Sequence, residues 1–119
     1  MQAKRFRTNP EEEFYTTEKC HILEILNTPD FQDYSLAQAR VEKGITTEWH
    51  WLKQTNELYY IISGTGTMEI GDNFKKEVRK GDAVFIPKME KQRIINTGDA
   101  DLIFLCICTP RWEAENYLS

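Results

Sequence analysis

"GITTEWHWLKQTNELYYIISGTG", residues 44–66, alternates in the manner of a β-strand and carries His50 and, seven residues later, Glu57. Successive side chains of an extended chain point to opposite faces. His50 and Leu52 therefore share one face, with Trp49 and Trp51 on the other. Glu57, Tyr59 and Ile61 likewise share a face, opposed by Leu58, Tyr60 and Ile62. Both faces are largely apolar, which predicts a wall packed on a second layer or covered outside. An imidazole and a carboxylate converging inside such a wall are half of a metal-binding set. The other half must come from elsewhere in the chain.

On either side of this stretch, glycine and proline punctuate short runs rich in β-branched and aromatic residues. These runs are "CHILEIL", "YSLAQARV", "LYYIIS", "TMEI", "DAVFIP", "QRIIN" and "DLIFLCICT". Several short strands with turn signals between them predict an all-β sandwich or barrel. "EIGDNF" reads as a hairpin around Gly71-Asp72-Asn73, and "NTGDAD" as another around Gly98-Asp99. Helical signals are confined to the ends. Asn9 is placed to cap a turn that starts at Pro10, and "PRWEAENYL" can supply a turn or two near the C-terminus. "GTGTMEIG" lacks the glycine spacing and the following helix of a phosphate loop, so a turn is expected there.

Composition narrows the function classes. A chain of 119 residues supports one core. A net charge of -4, well mixed along the sequence, offers no basic surface for nucleic acid. The clusters "AKRFR" and "EEE" read as a solvated N-terminal segment. No apolar run approaches a membrane span, and the first residues lack the apolar core of a signal peptide. Three cysteines do not make a disulfide framework, and a cytoplasmic location is expected.

Two spaced motifs carry a family resemblance. Gly44, five residues, His50, Leu52, four residues, Glu57, six residues and Gly64 form the first. Gly81, five residues, Pro87, Met89, two residues, Gln92, three residues and Asn96 form the second. The pattern resembles the cupin family, with seven of ten motif positions kept. Leu52 and Gln92 stand where that family has histidines, and Met89 where it has glycine. The resemblance implies a cupin β-barrel, a double-stranded β-helix or jelly roll, with short terminal extensions. The expected division is residues 1–28 as extension and outer strand, 29–110 as barrel core and 111–119 as tail. "QRIIN" and "DLIFLCICTPRWEAENY" are also similar to a subgroup of single-domain cupins, in which Gln92 would be a shared feature.

The resemblance implies that His50 and Glu57 are metal ligands, with Gln92 offering a weaker amide oxygen. One divalent ion, Zn, Fe, Mn or Ni, is the expected cofactor. The alternative is a metal-free, hydrogen-bonded polar cluster of the same three residues, because a buried carboxylate needs partners in any case. The candidate pocket is lined by His50, Leu52, Glu57, Tyr59, Gln92, Ile94, Asn96 and Cys106. Cys106 and Cys108 share a face and suit either core packing or a soft metal. Cys20 and His21, being adjacent, should face opposite ways. Arg93 and Arg111 are expected at the rim or on the surface, and Trp49 and Trp51 on the outer side. The expected function is small-molecule binding in an interior polar pocket, possessing a weakened metal site. Alternatives are a metal-dependent oxygenase, isomerase or lyase, and a metal-free ligand-binding or dimer-scaffold barrel. The expected partners are a small acidic or polar ligand and a second copy of the chain as homodimer, with no nucleic acid and no membrane.

Overall fold

The computed structural model describes residues 2–119 as a nearly all-β chain with eleven strands. They are β1 (Phe14–Tyr15), β2 (His21–Leu26), β3 (Ser35–Val41), β4 (Trp51–Leu52), β5 (Asn56–Ser63) and β6 (Thr65–Ile70). There follow β7 (Phe74–Arg79), β8 (Ala83–Ile86), β9 (Gln92–Asn96), β10 (Leu102–Thr109) and β11 (Tyr117–Leu118). The β-rich runs of the sequence correspond to β2, β3, β5, β6, β8, β9 and β10. Two 3-10 turns lie at the ends, Pro10–Glu12 and Ala114–Asn116. The first is capped as expected: the Asn9 side-chain oxygen accepts from the Glu11 N–H at 3.1 Å.

One layer is a six-stranded antiparallel sheet in the order β1-β2-β3-β10-β5-β8. The other begins as β7-β6-β9 and is extended by residues 45–52, which run beside β9. Four backbone bonds hold that extension to β9: Asn96 N–H to Ile45 C=O at 2.9 Å, Thr47 N–H to Ile94 C=O at 2.9 Å, His50 N–H to Gln92 C=O at 3.1 Å, and Gln92 N–H to His50 C=O at 2.8 Å. β4 then pairs with β11, so the C-terminal residues close the end of this layer. The two sheets enclose the core as a jelly roll. Phe104, Ile61, Met68, Ile86, Ile94, Leu102 and Val41 are essentially inaccessible within it.

Alternation assigned the faces correctly along the motif strand. Tyr59 and Ile61 are buried, whereas Tyr60 and Ile62 on the opposite face are 41% and 38% exposed. The outer face of β5 is thus left open to solvent, with no layer covering it. Three other expectations change. "NTGDAD" is not a hairpin, because β9 pairs with β6 and β10 with β3 and β5; the turn carries the chain from one sheet to the other. "GTGTMEIG" is largely strand β6, with turns only at its two ends, Gly64 and Gly71. Glu13 of the acidic cluster is engaged: Arg40 donates to it at 2.6 Å and to Asp101 at 3.1 Å. Trp49 covers the guanidinium of Arg93, which lies 4.5 Å from the ring centroid. That contact is a cation–π pair on the outer side of the wall.

Met89 shows what the second motif asks of its third position. The Glu90 N–H bonds to the Pro87 carbonyl at 3.3 Å, closing a turn in which Met89 has φ +71°. A side chain in this left-handed region costs about 1–2 kcal/mol, which is why a glycine suits the place. The Met89 side chain is 56% exposed and contributes little packing in return. Met89→Gly should therefore raise stability by roughly 0.5–1 kcal/mol after the extra entropy of glycine in the unfolded chain is counted. Urea unfolding measures it; a loss of stability would mean that Met89 packs more than its exposure indicates.

Candidate functional site

The two sheets leave an interior cavity of about 140 Å³ at the end where the β1–β2 turn and β11 come together. His50, Leu52, Glu57, Tyr59, Ile94 and Cys106 all line it. Gln92 lies behind its wall and Asn96 outside it. The Asn96 amide donates to Val41 C=O at 2.9 Å and to Ala100 C=O at 2.8 Å, and its oxygen accepts from Gly98 N–H at 2.9 Å. Its work is to fold the crossover between the sheets.

A directed chain of hydrogen bonds runs through the wall. The Tyr59 hydroxyl donates to Gln92 Oε1 at 2.7 Å, and Gln92 Nε2 donates to Glu57 Oε1 at 2.8 Å. The Cys108 thiol donates to Glu57 Oε2 at 3.6 Å. Burial raises the Glu57 pKa above the ordinary carboxylate value, opposed by the charge of His50 and the bond from Gln92. The amide orientation of Gln92 follows from its neighbours, since a phenol that donates needs the oxygen and a carboxylate needs the N–H.

His50 belongs to a second pair. Its Nδ1 lies 3.0 Å from the Glu48 carbonyl, which can only accept, so Nδ1 carries a hydrogen. Nε2 then faces Glu18 Oε2 at 3.2 Å. Glu18 comes from the tight turn between β1 and β2. There the Thr16 hydroxyl accepts from the Glu18 N–H at 3.2 Å, and Glu48 N–H donates to the Glu18 carbonyl at 3.0 Å. The ring of Tyr117, from β11, stacks on His50 at 5.6 Å between centroids and 18° between planes. Burial raises the Glu18 pKa, with His50 and the Tyr117 hydroxyl pulling the other way.

Glu18 and Tyr117 lie in the stretches that the sequence divides off as extension and tail. The signal for Glu18 is the row Glu18, Cys20, Ile22 at a spacing of two, all three of which face the cavity. Nothing local marks Tyr117, because only the pairing of β11 with β4 brings it to His50. Cys20, Cys106 and Cys108 are free thiols on the cavity wall. Burial pushes the Cys20 thiol up to about 12 and raises Cys106 and Cys108 as well, so none is a ready thiolate. His21 points outward from its neighbour Cys20 and stands 3.5 Å from Glu42.

The donors as arranged do not fit the four-ligand ion that the motif implies. Leu52 has nothing to give, and the Gln92 oxygen is taken by Tyr59 while its N–H group faces Glu57. His50 Nε2 is directed at Glu18. Among the described residues no three His, Cys, Asp or Glu side chains converge to hold an ion. What the site offers is proton exchange: an imidazole against one carboxyl, and a second carboxyl held by neutral donors.

Both carboxyls tie stability to pH. A folded pKa raised above the unfolded value means that the folded chain keeps a proton which the unfolded chain has lost. Stability should then fall as pH rises above about 4.5, by at most roughly 1.4 kcal/mol per pH unit for each carboxyl. Urea midpoints at about pH 5 and about pH 8 read this slope, and Glu57→Gln should make it shallower. A midpoint independent of pH in the unmutated chain, or a slope unchanged in the variant, would contradict the burial of Glu57.

Comparison with known proteins agrees with this architecture. Residues 37–108, more than half of the chain, match the family model described as "Cupin domain". An uncharacterised protein of Methanocaldococcus jannaschii is 40% identical over 82 residues, covering 69% of this chain and 65% of that protein. The oxalate decarboxylase OxdC of Bacillus subtilis is 30% identical over 91 residues, covering 73% of this chain. The chain thus spans just under two thirds of the archaeal relative's length, and its match to the decarboxylase covers 24% of that enzyme. A nucleoside dehydratase from Streptomyces superposes with a TM-score of 0.77 at 11% identity, over 96% of this chain and 89% of the other. At that identity the likeness is one of fold. With both motifs, the jelly roll and the family match in agreement, the chain belongs to the cupin family.

Proposed function

We propose that this cupin binds a small molecule in its interior cavity and holds it by hydrogen bonds rather than through a metal ion. The observation that carries this is the pair of polar arms at one cavity, each joining residues of both sheets. His50 with Glu18 forms one arm, and Glu57 with Gln92 and Tyr59 the other. An inert core would place aliphatic side chains at these positions, since each buried polar group costs free energy unless satisfied. A second reading, proton-transfer catalysis of the lyase or isomerase type, is favoured by the 3.2 Å approach of His50 Nε2 to Glu18. The decarboxylase and dehydratase names of two similar proteins are of that broad kind. In such a reaction His50 and Glu18 would exchange a proton with the bound molecule, and Glu57 would hold it in place.

The test is a screen of metabolites by thermal shift, before and after treatment with a strong chelator. At least one compound should raise the melting midpoint, as a ligand that binds only the folded chain must. His50→Ala should weaken that response, and chelation should leave it intact. A near-stoichiometric ion in protein purified without a histidine tag, lost in His50→Ala, would instead establish the metal reading.

The homodimer expected from the sequence is proposed through the open face of β5 and the edge strand β8. Tyr60, Ile62 and Phe85 are exposed there, Phe85 to 59%, and an edge strand with apolar neighbours invites a second copy. Sedimentation should show a dimer that Phe85→Asp converts to monomer. A monomer at high micromolar concentration in the unmutated protein would remove the proposal.

A further inference from the structure

We propose that the cavity selects small organic monocations, primary amines above all, and turns away carboxylates. The inference rests on the cavity being a ligand site and concerns the charge of what enters. Its wall carries Glu18 and Glu57 in the interior and Glu24 at the mouth. Among the described residues no lysine or arginine lines it. Arg111 lies behind the wall residue Asn27, to whose side-chain oxygen its Nε donates at 2.9 Å. Its remaining charge is held by Glu113. His50 is the one group able to become cationic on the wall, and Glu18 already faces it.

An entering carboxylate would give up its hydration and meet further carboxyl groups, with no lysine or arginine on the wall to offset the loss and His50 already facing Glu18. A dianion such as oxalate would fare worse. An ammonium group finds the opposite. Two carboxyl groups can accept its hydrogens, and the rings of Tyr59, Phe104, Trp112 and Tyr117 stand in the same wall. Aromatic faces attract a cation, more strongly where water is excluded. Glu57 has few donors of its own, an amide and a thiol, and no cation within hydrogen-bond reach. The cavity volume of about 140 Å³ is close to that of a cavity which holds benzene, so a short amine fits and a sugar phosphate does not.

Thermal shifts with n-butylammonium, butyramide, butyrate and oxalate, at equal millimolar concentrations, separate the possibilities. Butylammonium should raise the melting midpoint by about 2 °C or more, and butyrate and oxalate should not. Glu57→Gln should abolish the butylammonium response while keeping any response to butyramide, and Glu18→Gln should reduce it. Stabilisation by butyrate or oxalate equal to that by butylammonium would overturn the charge preference and leave the ligand site standing. A butylammonium shift that persists unchanged in both variants would place the cation elsewhere and overturn the proposal too. If none of the four shifts the midpoint while another metabolite does so through His50, the amine class fails alone; if no compound of any kind does, the ligand site fails with it.

Discussion

Two backbone hydrogen bonds between His50 and Gln92, at 3.1 and 2.8 Å, join the two halves of the cupin pattern. They lock residues 45–52 beside β9 and so decide where both side chains point. His50 is carried into the interior next to the turn that holds Glu18. Gln92 is turned toward β5, where its amide links Tyr59 to Glu57. A one-residue slip of either segment would send each side chain to the opposite face, and the cavity would lose both polar arms together.

The ends of the chain complete what the motifs begin. The β1–β2 turn lays Glu18 over His50, and β11 lays Tyr117 against the imidazole. The result is a site in which two carboxyl groups are buried without a fixed cation beside either. Such an arrangement is tolerated because a buried carboxyl can keep its proton and avoid the larger cost of an isolated charge. The same property ties stability to pH and makes the cavity responsive to whatever positive charge enters it.

The fold was legible because it rests on local signals: glycines at turns, β-branched runs, and the spacing from Gly44 to Gly64 and from Gly81 to Asn96. Alternation put His50 with Leu52, and Glu57 with Tyr59, on shared faces, and the cupin resemblance supplied which face is inward. Gln92 was read as a weak ligand because sequence gives a residue's face but not its partners. Its oxygen proved to be committed to Tyr59. Asn96 shares the inward face of β9, yet it serves the crossover, because the backbone carbonyls of Val41 at the end of β3 and of Ala100 in the crossover reach it first. Glu18 and Tyr117 were hidden for a different reason. Each joins the site through pairing between distant segments: the spacing of Glu18, Cys20 and Ile22 marks a shared face but not that the β1–β2 turn will cover His50, and nothing local marks Tyr117.

The central claim is that a cavity walled by carboxyl groups, with no lysine or arginine on the wall among the described residues, sets the charge of what it accepts. Calorimetric titration with n-butylammonium and with butyrate tests it most directly. The account predicts saturable binding of n-butylammonium that is lost in Glu57→Gln, and no binding of butyrate. Binding of butyrate as tight as that of n-butylammonium, or n-butylammonium binding unaltered in the variant, would contradict it.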